Sequence, residues 1–199
     1  MADKKSEFQY SKKKKVKNNF KLFILVFIFC SILIMNQAKG QNNSWIEING
    51  VKWATCNIGT SGKFVKNLYD YGELYTWKEA QNVCPTGWRL PTEKEFESLI
   101  NSGSVWTTIN GKNGRKFGDS KNFIFFPAAG VSAGTYDTSD DTRYRQGEEG
   151  SYWSSTLYYN EYYDNYDGSY LTLGFSSRSV WSANQNPNLY GYSVRCVKE

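Results

Sequence analysis

The chain has 199 residues and a formal net charge of +5, and it contains no histidine. The missing histidine excludes Ser-His-Asp and Cys-His chemistry and any His-ligated metal site. The charge resides in the first forty residues: nine of 24 basic and two of 19 acidic residues lie in 1–40, leaving 15 and 17 in 41–199, a formal −2 with no electrostatic footprint for nucleic acid.

Length predicts one main domain plus extras. Lys12–Lys15 and Lys17 form a basic region within residues 1–21, Leu22–Met35 is an apolar run, and Ala38-Lys39-Gly40 places small residues where a signal peptidase reads. This layout predicts a secretory signal peptide over 1–40, cleaved between Gly40 and Gln41, and hence a secreted or surface-displayed protein. An uncleaved anchor and a lipoprotein acylated at Cys30 are the alternatives, although the run is short of the roughly 20 residues that a span needs. Either would be the chain's sole link to a membrane.

Residues 41–44 are a polar tail, and the domain is expected over 45–199. Trp45–Trp53 alternates around Asn49-Gly50, a strong hairpin signal. Ala54–Tyr75 is Gly-rich and reads as irregular. Thr76 with Glu79 and Thr92 with Glu95 form two capping boxes, predicting short helices over Trp77–Val83 and from Thr92 through Phe96, Leu99 and Ile100. Cys84–Leu90 between them is a rigid connector with Trp88 as its apolar anchor. Asn110-Gly111 and Asn113-Gly114 predict turns, and Phe123–Phe126 a buried strand ended by Pro127. Thr135–Gly150 reads as an acidic surface loop. Tyr152–Ser155, Tyr170–Phe175 and Ser193–Val197 read as strands, with Leu171, Leu173 and Phe175 on one face.

Nine of fifteen tyrosines fall in Tyr152–Tyr192, spaced mostly by Ser, Asn, Asp and Gly. Such a mixture makes poor core, since a buried tyrosine needs a partner for its hydroxyl. It makes good contact surface, because Tyr offers rigid amphipathic area at low entropy cost. Loops over Leu157–Ser169 and Ser176–Tyr190 are expected to form one contact face within 157–192. Its candidate ligand-binding residues are Tyr158, Tyr159, Asn160, Tyr162, Tyr163, Asn165, Tyr166, Ser176, Arg178, Trp181, Asn184, Asn186, Asn188 and Tyr190. Trp181 is the tryptophan expected to be exposed, while Trp53, Trp77, Trp88 and Trp153 are expected in the core. Asp137, Asp140 and Asp141 read as solvated charge, because their spacing fits no calcium loop. No metal or cofactor is expected.

The exported part keeps Cys56, Cys84 and Cys196, an odd number that predicts one bridge and one spare thiol. Cys84–Cys196 is the expected pair, since it ties a helix end to the last strand. Three buried, unpaired cysteines are the alternative.

Val51–Gly59, Tyr71-Gly72, Tyr75-x-Trp77 and Cys84–Thr92 together resemble motifs of the Fibrobacter major paralogous domain. So do Phe126–Gly130, Tyr152–Thr156 and Ser193–Val197, in family order over about residues 46–198. That family is similar to the formylglycine-generating-enzyme branch of the C-type-lectin-like fold. The resemblance implies an α+β domain with two short helices, small antiparallel sheets and long irregular loops. The related enzymes use paired reactive cysteines near the C-terminus, where this chain has Cys196 alone, so no enzymatic role is carried over. Asn186-Pro187-Asn188 is similar to a calcium-sugar motif of C-type lectins but lacks its Trp-Asn-Asp partner, and a plain turn is expected. Some family members resemble the variable proteins of diversity-generating retroelements, whose randomised codons give the Tyr, Asp, Ser and Asn mixture found here. The resemblance therefore implies a surface module that binds a protein or glycan. A structural or adhesive module without a dedicated ligand is the second reading, and an enzyme related to formylglycine-generating proteins the third.

Overall fold

A computed structural model describes residues 45–133, 143–161, 164–174, 178–182 and 190–199. The leader, Asp137, Asp140, Asp141, Phe175 and the Asn186-Pro187-Asn188 turn lie outside these residues. Among those described, no helix is long and apolar enough to cross a membrane. Asn43–Glu199 packs as one unit.

Strands β1 (Trp45–Ile48) and β2 (Val51–Ala54) pair antiparallel around Asn49-Gly50. Both turn residues have positive φ, 50° and 79°, the conformation that a tight two-residue hairpin demands. The predicted irregular stretch contains a minimal pair, β3 (Ile58–Gly59) and β4 (Lys63–Phe64). Both capping boxes form. Thr76 caps α1, shorter than predicted at Trp77–Ala80, and Thr92 caps α2, Glu93–Asn101, which buries Phe96 and Leu99. Between the helices, Trp88–Arg89 is a short strand, β5, and Trp88 is only half-buried, its ring edge-on to Phe64.

Strands β6 (Ser104–Ile109), β7 (Lys112–Gly118) and β8 (Phe123–Pro127) form an antiparallel sheet, turning at Asn110-Gly111 as expected. Asn113-Gly114 is not a turn. It lies inside β7, where a side chain at Gly114 would put Cβ 2.3 Å from the Phe126 carbonyl oxygen. That glycine is there for close strand contact rather than for chain reversal.

Strands β9 (Val131–Ala133) and β10 (Arg143–Tyr144) pair with each other. Part of the predicted acidic loop is thus ordered strand. Its last residues belong to β11 (Glu149–Asn160), which pairs with β12 (Asn165–Gly174), and β12 pairs in turn with β13 (Arg178–Ser182). The last elements are β14 (Tyr190–Gly191) beside β9, and β15 (Val197–Lys198) between β2 and β5. Ser193–Val197 is therefore not one strand. Tyr192 and Ser193 make single bridges to Tyr75 and Tyr152 as the chain crosses between sheets. These small antiparallel sheets with two helices make an α+β domain.

Side chains of neighbouring strand positions point to opposite faces. Tyr152 and Trp153 in β11 accordingly enter different apolar clusters. Tyr152 joins Trp53, Phe96, Phe117, Phe126, Leu171 and Leu173. Trp153 joins Ile58, Leu90, Tyr192, Val194 and Cys196. Cys84 and Cys196 are bridged, with Cα atoms 6.0 Å apart, and Cys56 is free.

One fully buried polar network ties the clusters together. Arg195 donates from Nε to Asn57 Oδ1 (2.8 Å), from Nη1 to the Ala54 carbonyl (3.0 Å) and from Nη2 to that of Phe125 (2.9 Å). Its guanidinium also lies 4.6 Å from the Phe126 ring centroid. Asn57 Nδ2 donates to the Tyr152 hydroxyl (3.2 Å), which donates to the Pro127 carbonyl (2.6 Å). Four of the sequence motifs singled out above meet here, those holding Asn57, Pro127, Tyr152 and Arg195. The expectation that tyrosines of 152–192 avoid the core fails at Tyr152 and Tyr192, both buried, and at half-buried Tyr170. Tyr152 succeeds there because its hydroxyl is paired at both ends.

Burial pushes the Tyr152 hydroxyl up to about 12 and raises that of Tyr192 as well. Below pH 10 both are neutral in folded and unfolded chains alike. Above it the unfolded chain loses these protons first, so stability falls as pH climbs from 10 towards 12. For Tyr152 alone the loss should reach about 2–3 kcal/mol by pH 12, read as a falling urea midpoint between pH 9 and 11.5.

Candidate functional site

The β11–β12 hairpin rises from a built socket. Trp153 and Tyr170 face each other across the two strands, and the register then slips before Leu157 meets Gly168. The irregular residues of β11 are Ser154, Ser155 and Thr156, and each is tied to the framework. The Ser154 carbonyl accepts from Trp77 Nε1 of α1 (3.0 Å), and its hydroxyl contacts that of Ser169. The Ser155 amide donates to the Pro91 carbonyl at 2.8 Å. Thr156 Oγ1 accepts from the Glu93 amide at the start of α2 (3.0 Å), satisfying one of the orphan donors of that helix end. Trp153 Nε1 donates to the Tyr75 carbonyl (2.6 Å). At Gly168 an added Cβ would sit 2.4 Å from Trp77 Cδ1, so only glycine lets the indole lie against the hairpin root.

Beyond the socket the hairpin is exposed. Among the described residues, four of the six exposed large apolar side chains lie on it: Leu157 (40 %), Tyr158 (40 %), Tyr159 (53 %) and Tyr166 (57 %). Tyr159 and Tyr166 are direct cross-strand partners with ring centroids 5.3 Å apart, edge to face. The Tyr159 hydroxyl donates to Asp164 Oδ1, and this bond, ahead of desolvation, holds its proton more tightly than usual. Asp164 sits in the turn at φ 48°, which a short polar side chain tolerates.

The predicted contact residues divide as follows. Leu157–Ser169 is a hairpin of two strands, not a loop, because tyrosine suits a pleated surface despite the Asn, Asp and Gly around it. Tyr159 and Tyr166 share a face with Leu157, while Tyr158, opposite Asp167, takes the other face. Asn160 and Asn165 close the hairpin as the last paired positions. Ser176–Tyr190 likewise contains a strand, β13. There Trp181 pairs with Tyr170 and Arg178 with Leu173. Tyr190 is half-buried, 6.1 Å from the Tyr192 ring, and belongs to the second cluster rather than to a free loop. Tyr162, Tyr163, Ser176, Asn184, Asn186 and Asn188 lie outside the described residues.

Sequence reasoning missed Leu157 and the part played by Trp77. Tyr152–Asn160 shows no apolar-polar alternation, since Tyr152-Trp153 and Leu157-Tyr158-Tyr159 are adjacent, so its aromatic content was the one local signal for a strand. Among the described residues no group of three Cys, Asp or Glu side chains could hold a metal ion.

A small disulfide-bridged α+β domain that presents an aromatic hairpin is the class these features define. The chain matches the model of the Fibrobacter succinogenes major domain over residues 40–198 and belongs to that family. No curated protein and no solved structure matches it.

Proposed function

We propose that this is an exported recognition module of C-type-lectin-like architecture, which binds a protein or glycan through its C-terminal aromatic face and performs no chemistry. The observation that carries the reading is the exposed Tyr159–Tyr166 pair on a hairpin whose root is pinned to both helices. A rigid base beneath exposed tyrosines lowers the ordering cost of binding, as in matured antibody loops. The composition of 157–192 further fits a retroelement-diversified surface. A reverse-transcriptase gene and a near-identical repeat beside the coding sequence would support that part. Export predicts a mature N-terminus at Gln41, read by mass spectrometry; an intact or Cys30-lipidated N-terminus would replace it with an anchor.

The binding reading is tested on arrays of surface proteins and glycans. Wild-type protein should give discrete hits, and the Tyr158→Ala/Tyr159→Ala/Tyr166→Ala variant should lose them, since truncating a central aromatic costs ~2 kcal/mol or more. Hits that survive the triple variant would move the site elsewhere. An array without hits would favour a structural module.

A further inference from the structure

We infer that the hairpin face formed by Leu157, Tyr159 and Tyr166 docks a cationic, arginine- or lysine-rich segment of a partner protein; this rests on the binding-face reading above. The sequence from Gln146 to Ser177 contains five acidic residues and neither Lys nor Arg. Glu148 and Glu149 lie against Arg145, which takes up their charge locally. Of the remaining three, exposed Glu161 and Asp164 lie in the turn next to the Tyr159–Tyr166 pair, while position 167 pairs with Tyr158 on the other face and does not count toward this one. Neither Glu161 nor Asp164 has an ion-pair partner among the described residues.

Elsewhere the chain covers surface rings with its own cations. Lys52 and Lys198 lie over Trp45, Lys112 over Tyr71 at 4.1 Å, and Lys116 over Phe123 at 4.5 Å. The hairpin has no Lys or Arg of its own in sequence to do this for Tyr159. A planar guanidinium suits the site, because it can stack on a tyrosine face while donating to a neighbouring carboxylate. Asp164 already accepts from the Tyr159 hydroxyl and retains lone pairs for a second donor. Aromatic faces and carboxylates are thus offered together. An acidic or phosphorylated partner would be repelled, and a neutral glycan would leave the charge unmatched.

The experiment uses the exported domain and a fluorescent arginine-serine repeat peptide, with glutamate-serine and glutamine-serine repeats and a neutral oligosaccharide as comparators. The arginine peptide should bind, and its affinity should fall as salt rises. Glu161→Gln with Asp164→Asn should weaken it about tenfold, as should Tyr159→Ala at an unchanged melting temperature. Glu47→Gln with Glu97→Gln, which removes as much charge far from the hairpin in sequence, should leave it unaltered. Equal losses in that control pair, or full affinity in Tyr159→Ala, would reduce the binding to general attraction and overturn the inference. Tyr159-dependent binding of the neutral peptide or oligosaccharide in place of the arginine peptide would sink the cationic partner while sparing the binding face. Tyr159-independent behaviour of every probe, together with an empty array, would end both.

Discussion

Arg195→Met should destabilise the domain by about 3–5 kcal/mol. The guanidinium is fully buried, and its removal orphans three acceptors: Asn57 Oδ1 and the carbonyls of Ala54 and Phe125. Each unsatisfied buried group costs about 1–3 kcal/mol. Burial lowers the affinity of Arg195 for its proton, so part of the loss is offset by removing a charge that folding had to desolvate. Asn57 then loses one of the partners that orient it toward Tyr152. At about 2–4 °C per kcal/mol for a domain of this size, the melting temperature should drop by roughly 10 °C. Arg89→Met supplies the contrast. Arg89 makes a two-pronged ion pair with Glu95 at 2.8 and 2.7 Å, but it is 44 % exposed, and a surface pair contributes at most about 1 kcal/mol. If both variants melt alike, the buried network does not hold the motifs together.

Breaking the Cys84–Cys196 bridge should cost nearly as much. The bridged residues are 112 apart in sequence, and closing so long a loop removes up to about 4.7 kcal/mol of unfolded-state freedom in the chain-entropy model. Cys196 is fully buried beside Val194 and Leu90, so Cys196→Ser adds a buried hydroxyl to the loss. Cys84→Ser, at a half-buried position, isolates the crosslink more cleanly. Its melting temperature should fall by roughly 10 °C and no longer respond to dithiothreitol. Cys56→Ser should shift the melt by only a degree or two, because Cys56 is unbridged and half-buried. A wild-type melt indifferent to dithiothreitol would rule the crosslink out as a major stabiliser.

The sequence announced those elements whose signals are local. Thr76 with Glu79 and Thr92 with Glu95 cap their helices because a capping box is closed within four residues. Asn49-Gly50 turns because both residues accept positive φ. Asn113-Gly114 carries the same letters without the turn, since the reason for its glycine is Phe126, twelve residues away. The bridge was legible from cysteine parity, whereas the Arg195 network was not, because nothing local links Asn57, Phe125 and Arg195. At the candidate site, Tyr159 and Tyr166 were legible as surface from their polar neighbours. Tyr152 and Tyr192 share that neighbourhood and are core. What separates them is a hydroxyl partner for Tyr152, and for Tyr192 the stack with Trp153 and Tyr170, both supplied from afar. The bulge at Ser154–Thr156 was equally hidden, since its partners Trp77, Pro91 and Glu93 lie over sixty residues upstream.

That the hairpin tyrosines serve contact rather than stability is tested most directly by a paired thermal melt. Surface substitutions away from special features change stability by about ±0.5 kcal/mol, whereas deleting a buried indole costs about 3–5 kcal/mol. The Tyr158→Ala/Tyr159→Ala/Tyr166→Ala variant should therefore melt within a few degrees of wild type, while Trp153→Ala, at the foot of the same strand and fully buried, should lose 10 °C or so. A triple variant that falls as far as Trp153→Ala would show the hairpin to be core and contradict the account.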